Sequence, residues 1–248
     1  MPRAYLFPQL TVNEYPANLG SADAEYLVTA GDSLDYVVKT CRRHQAMPIS
    51  ELLSHNIADA CGVPTPQFTL VQLMNGDVGF GSQWDDSAIK DQAIRNSIVT
   101  AIPGSPVLAA QFSGIYVLDL FLHNDDRHLG NYLFVSTNQG VGVKAYDFSR
   151  SLFFHGWPPP QLPLDPHSNT VQCYRSLRVG YPFDPAVGKE AIRRLRGIDS
   201  PRVARWLEEA PTEWMSDSSR REFVSWWQSE ALTRLDTISK GLGDGSLL

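Results

Sequence analysis

The spacing of apolar positions divides the chain into a strand-rich first third and a helical remainder. Residues 25–29 and 36–40 are dense in Tyr, Val and Thr, and Gly31-Asp32-Ser33 between them has turn chemistry, so two strands around a turn are predicted. Over 50–61 the apolar positions move to helical spacing. Leu52, Leu53, Ile57, Ala60 and Cys61 share a broad face, Gly62 is a stop signal, and Pro64 and Pro66 bar continuation. Residues 68–73 and 78–81 read as strands about the Asn75-Gly76 turn. Helices are expected over 87–102 and 109–122, the second apolar nearly all round apart from Asp119, as a buried helix is. Two apolar runs, 132–135 and 141–148, predict a hairpin. Ser200-Pro201 has the form of an N-cap and first helical residue, and Ser219-Arg220-Arg221-Glu222 that of a capping box opening a last helix with Phe223, Trp227 and Leu235 inward. The proline-rich stretch 155–169 is long enough to be a functional loop. The expected class is α+β, with a small β-rich lobe (1–84) and a larger helical lobe (85–248) meeting over a crevice near residue 85.

Composition narrows the function. A net charge of −6 argues against a surface built to bind nucleic-acid phosphates directly, although a local basic pocket is invisible in a sum. Three cysteines without a Cys-x-x-Cys pair fit reduced thiols better than a disulfide framework. No run reaches the length of a membrane span, and the first residues lack the apolar stretch of a signal peptide, so a cytoplasmic location is expected.

The candidate chemistry lies in His123-Asn124-Asp125-Asp126-Arg127-His128-Leu129-Gly130-Asn131, between the apolar helix and the hairpin. Asp126 and Asn131 have Asp-x-x-x-x-Asn spacing, and Asp147 stands at the end of the second hairpin strand. One acid can accept a hydroxyl proton while the amide and the second acid hold magnesium on nucleotide phosphates. Lys39 ends an apolar strand and can reach phosphates, and Glu51 on the next helix can hold it in an ion pair; a solvated lysine and a dipole-complementing first-turn acid are the bland alternatives. Asp125 reads as a solvated or loop-capping acid, and Asp119 as a buried partner for Arg127 or His128. His123, Asp125, Asp126 and His128 could instead form a transition-metal site of a hydrolase, but no second His-rich cluster completes it.

Asp126-Arg127-His128-Leu129-Gly130-Asn131 followed by Tyr146-Asp147 resembles the catalytic and metal-binding segments of HipA-like kinases and, more distantly, the Asp-Arg-His loop of phosphatidylinositol kinases. Tyr36-Val37-Val38-Lys39, Glu51-Leu52-Leu53 and Cys61-Gly62-Val63-Pro64-Thr65-Pro66 agree, as does Ala210-Pro211-Thr212-Glu213-Trp214, so the resemblance covers roughly residues 19–240. It implies a bilobal protein-kinase-like fold binding ATP and Mg2+, with Lys39 on the phosphates, Glu51 as its ion pair, Asp126 as base, and Asn131 and Asp147 on the metal. It also implies a protein Ser/Thr acceptor and autophosphorylation in the phosphate-binding loop; Ser21 as the modified residue, an acceptor loop over about 149–180 and an antitoxin-like partner are further expectations. Gly20 and Ser21 stand where a phosphate cover is needed, and the strand around Phe80 and Gly81 where the adenine hinge is expected. The chain departs from the family in three respects. It is shorter than the full-length toxins, so their extra N-terminal subdomain is expected to be missing; it has no Gly-x-Gly-x-x-Gly loop; and Ser149 replaces the glycine of Asp-Phe-Gly. A small-molecule or lipid acceptor on the same fold, and a nucleotide-binding module without transferase activity, remain as alternatives.

Overall fold

The structure, a computed structural model, describes residues 7–17, 24–101, 104–138, 140–160 and 164–248. Strands β1 (Gln9–Pro16), β2 (Tyr26–Ala30), β3 (Asp35–Lys39), β4 (Phe68–Gln72) and β5 (Val78–Gln83) close into a barrel in the order β1-β2-β3-β5-β4. All pairings are antiparallel except β1 with β4. Val28, Ala30, Tyr36, Val38, Val71 and Leu73 fill the interior as a cluster of their own. At Gly81 an added Cβ would lie 2.6 Å from Val71 Cγ2, so the wall passes this point only because the side chain is missing.

Helix α1 (Met47–Cys61) is inserted between β3 and β4 and is buried along most of its length. Gly62, at φ +73°, closes it by returning its N–H to the carbonyls of Ala58 and Asp59. A second, larger hydrophobic core runs from α1 through α3 (Pro106–Leu122) into the helical remainder, α5 (Pro185–Arg196), α6 (Ser200–Glu208) and α7 (Asp217–Gly243). Helix α3 begins where Ser105 Oγ accepts the Leu108 N–H and ends at His123, which takes a left-handed conformation. The hairpin of β6 (Tyr132–Thr137) and β7 (Gly140–Ala145) follows, and α2 (Gln92–Ala101) and α4 (Asn169–Leu177) complete the set of helices among the described residues.

Several expected boundaries move, each for a local reason. Asp91 Oδ1 accepts the N–H groups of Ala93 and Ile94, so the helix expected from residue 87 begins only at Gln92. Residues 84–91 instead link the barrel to the hairpin: Asp85 pairs with Lys144 at 2.6 Å, and the Ile89 N–H donates to the Phe134 carbonyl. Asp199, a stronger acceptor than Ser200, caps α6, and Ser216 rather than Ser219 caps α7. Strand β1 has an inverted pattern, with Leu10, Val12 and Tyr15 exposed. Thr11 Oγ1 donates to the Gln72 carbonyl and Glu14 Oε2 accepts the Met74 N–H, so polar side chains tie it to the barrel. None of the helices is long and apolar enough to cross a membrane, among the described residues.

Candidate functional site

The barrel delivers Lys39 to a buried meeting point with α1 and the chain after β7. Its Nζ lies 2.5 Å from Glu51 Oε1, 2.7 Å from Asp147 Oδ1 and 2.9 Å from Ser149 Oγ. Glu51 Oε1 also accepts the Phe148 N–H at 3.0 Å, which fixes the backbone directly after Asp147. Asp147 itself sits at φ +61°, a conformation Asp tolerates better than most residues. Burial alone would lower the Lys39 pKa, but the charges and hydrogen bonds of Asp147 and Glu51 outweigh it and hold the lysine charged. Burial likewise pushes Asp147 up, yet Lys39, the Ser149 hydroxyl and Arg127 bring it down to about 2. Glu51 moves the other way: its burial exceeds what Lys39 returns, and its pKa is raised.

A second buried ion pair shapes the loop that carries Asp126 and Asn131. Arg127 is fully buried and donates Nε to Asp119 Oδ2 and Nη2 to Asp119 Oδ1, each at 2.9 Å. This two-pronged contact settles the partner of the lone acid in the apolar helix α3. Nη1 donates to the Asn131 carbonyl at 2.9 Å and to the Tyr146 carbonyl, which joins the loop to the chain beside Asp147. The guanidinium also lies 4.7 Å from the Phe148 ring centroid. His128 does not share this role; its Nδ1 accepts the Gly130 N–H at 3.0 Å.

Asn131 Nδ2 donates to the Asp126 carbonyl at 3.0 Å, leaving the amide oxygen for another partner. The Asp126 carboxylate takes Asn169 Nδ2 on Oδ1 at 2.5 Å and lies 3.3 Å from Arg150 Nε through Oδ2. Asp125 points elsewhere, to His155 Nε2 at 3.0 Å. His123, Asp125, Asp126 and His128 therefore do not converge, and no group of three metal-binding side chains of the His, Cys, Asp or Glu type gathers among the described residues. Amide and carboxylate oxygens such as Asn131 Oδ1 and Asp147 Oδ2 are of the type that a hard cation takes.

A cavity of about 290 Å³ opens beside Lys39, Glu51 and Asp147, with Val37, Phe80, Leu133 and Tyr146 in its walls. Residues 82–85 and 88–90, together with Arg95, belong to the same lining. Phe80 lines this space, but Gly81 does not: it belongs to the barrel wall against Val71, and the lining shifts to the residues after it. Gly20 and Ser21 lie outside the described residues. Asp126 and Asn131 are not in the cavity wall; Tyr146 is, and the Asn131 carbonyl accepts its N–H at 3.4 Å. Ser149, Arg150, Asn169 and Arg95 were not singled out as contacts of the site. The first two stand two and three residues after Asp147 and are suggested by proximity, whereas Asn169 and Arg95 carry no signal in the sequence.

No protein-family model matches the chain, and no curated protein does. Solved structures match over nearly its whole length. The proinflammatory kinase CtkA of Helicobacter pylori superposes with a TM-score of 0.63 at 16% identity, covering 92% of this chain and 95% of that one. A chain of the Shewanella oneidensis MR-1 toxin–antitoxin complex of HipA, HipB and operator DNA superposes with a TM-score of 0.52 at 15% identity, covering 97% of this chain and 70% of that one. The mixed α and β architecture is a HipA-like kinase fold.

Proposed function

We propose that this chain, with its HipA-like kinase fold, is a bilobal protein-kinase-like phosphotransferase that uses ATP and Mg2+ to phosphorylate a protein Ser/Thr hydroxyl. Residues 1–84 and 85–248 are its two lobes, and the cavity between β5, β6 and Lys39 receives the nucleotide. The observation that carries this reading is Lys39 held between Glu51 and Asp147 at the edge of that cavity. Three side chains from three distant segments share one buried point, and all three line a space large enough for a purine nucleotide's reactive end.

In this reading Lys39 contacts phosphate oxygens and Glu51 keeps it in place. Asn131 Oδ1 and Asp147 Oδ2 would hold magnesium, which supplies neutralisation of phosphate charge when bound. Asp126 orients the acceptor hydroxyl and takes its proton as the phosphoryl group transfers. The segment from 149 to 180, which begins with Arg150 and includes Asn169, receives the acceptor. The Shewanella oneidensis neighbour is titled as a toxin–antitoxin system, and an antitoxin-like partner for this chain belongs to the same proposal.

Intact mass after incubation with ATP and magnesium tests it. A gain of one phosphate on this chain or on an added protein acceptor, absent in Asp126→Asn, is the expected result. The variant should keep nucleotide affinity while turnover falls about a hundredfold to ten-thousandfold. In a parallel incubation with labelled ATP and cell lysate, label that appears only in small metabolites would redirect the proposal to a small-molecule acceptor, and nucleotide binding without any transfer would leave a binding module.

A further inference from the structure

Tyr146 stands between the cavity and the loop that carries Asp126 and Asn131, and it is bonded to that loop at three atoms. Its hydroxyl donates to the Gly130 carbonyl, its carbonyl accepts Arg127 Nη1, and its N–H donates to the Asn131 carbonyl. Its ring meanwhile lines the cavity together with Lys39, Glu51 and Asp147. Any residue at this position could make the two backbone contacts. The hydroxyl contact needs tyrosine, and a carbonyl can only accept, so the phenol is the donor.

What the hydroxyl grips is the turn that delivers Asn131. Leu129–Asn131 is a single 3-10 turn leading into β6. So short a turn has few hydrogen bonds of its own, and side chains must fix its position. The Gly130 N–H donates to His128 Nδ1 at 3.0 Å while its carbonyl takes the Tyr146 hydroxyl, so one residue is braced at both of its polar atoms. An added Cβ on Gly130 would lie 2.7 Å from His128 Cε1, which shows how closely the imidazole covers the turn. Asn131 then passes the setting on, because its Nδ2 donates to the Asp126 carbonyl at 3.0 Å.

We infer that Tyr146 is a positioning residue: its hydroxyl sets the turn that carries Asn131, and its ring couples that setting to occupation of the cavity. The inference rests on the nucleotide reading above. It separates the two ends of one side chain. Removing only the oxygen leaves the cavity wall in place and lets the turn shift, and a displacement of about 1 Å can cost roughly a hundredfold in rate. Removing the ring takes away the wall as well.

The test compares the wild-type chain with Tyr146→Phe and Tyr146→Leu in three measurements. These are the dissociation constant of ADP without metal, the rate of ADP formation from Mg-ATP, and deuterium uptake over residues 128–132 with and without ADP. Tyr146→Phe should bind ADP as the wild type does, which also reports an intact fold, while its rate falls about tenfold and its turn takes up deuterium faster. Tyr146→Leu should weaken ADP as well. Bound ADP should slow uptake over the turn in the wild type and less so in Tyr146→Phe, a difference that a merely structural ring would not produce. Wild-type rate and uptake in Tyr146→Phe, or ADP affinity lost there as fully as in Tyr146→Leu, overturns the inference while leaving the nucleotide reading intact. A wild-type chain that binds no ADP overturns the nucleotide reading and this inference with it.

Discussion

The side-chain amide of Asn169 donates to Asp126 Oδ1 at 2.5 Å, across 43 residues of sequence. Arg150 stands 3.3 Å from the other oxygen, so the carboxylate is gripped from both sides by the segment that follows Asp147. The Thr170 hydroxyl adds to the grip, accepting the Arg127 N–H at 2.8 Å and donating to the Asn124 carbonyl at 2.6 Å. The start of α4 therefore fits onto the loop as a clamp, and the orientation of Asp126 depends on it.

Asn169→Ala should lower turnover by about tenfold while leaving nucleotide affinity unchanged, since the amide orients the acid without touching the cavity. Asn169→Asp should be worse, because it sets two carboxylates at hydrogen-bonding distance. Steady-state rates at saturating nucleotide, with a parallel binding measurement, separate these outcomes. An Asn169→Asp variant as active as the alanine variant would show that the contact does not orient Asp126.

The Arg127–Asp119 pair is a stability feature before it is a functional one. Both side chains are fully buried, and Arg127 also satisfies the carbonyls of Asn131 and Tyr146. Arg127→Met should destabilise the fold by about 3–5 kcal/mol, because it leaves Asp119 buried and uncompensated. Adding Asp119→Leu should recover part of that loss but not all, since two backbone carbonyls still lack their donor. Urea unfolding of the wild type, the single variant and the pair measures both quantities.

Much of this was legible in the sequence, and the parts that were not share a physical cause. The order Lys39, Glu51, Asp126, Asn131, Asp147 could be read because each residue sits at the end or start of an element whose own pattern is strong. Asp119 stood out because an acid in an otherwise apolar helix needs a partner. Strand β1 escaped because its apolar residues face outward and its hold on the barrel is made by Thr11 and Glu14. Gly81, expected with Phe80 in the adenine hinge, packs against Val71 and stays outside the cavity lining, a packing role that its sequence neighbours do not reveal. Asn169 and Arg95 were invisible because their meaning depends on contacts over long sequence separation.

His123 should make stability depend on pH. Burial, then Arg234, lower its pKa to about 4, with Asp125 opposing. The unfolded chain, with an ordinary histidine near 6.5, binds the proton more readily than the folded one between those values. Stability is therefore complete above about pH 6.5 and falls as the pH drops toward 4. Solvent screening at this half-buried site reduces the effect to about 1–2 kcal/mol. Thermal melts from pH 7.5 to 4.5 should show a smaller decline in His123→Gln than in the wild type; parallel curves would remove His123 as the cause.

Lys39→Met is the obvious inactive variant, and the geometry predicts that it is a poor one. Lys39 is the cation that two buried carboxylates share, and the Ser149 hydroxyl has a single proton to give to Glu51 Oε1 or Asp147 Oδ1. Without the ammonium, Glu51, whose pKa is already raised by burial, should take up a proton, and Asp147 should lose the attraction that holds it near 2. The variant should lose about 3–5 kcal/mol of stability along with its activity. Combining it with Glu51→Gln, a neutral group that needs no proton uptake to sit there uncharged, should restore a good part of the stability and none of the turnover. Melting temperatures and rates of Lys39→Met, Glu51→Gln and the double variant test this together. Equal stability of Lys39→Met and wild type would mean that the three side chains are not coupled as their distances require.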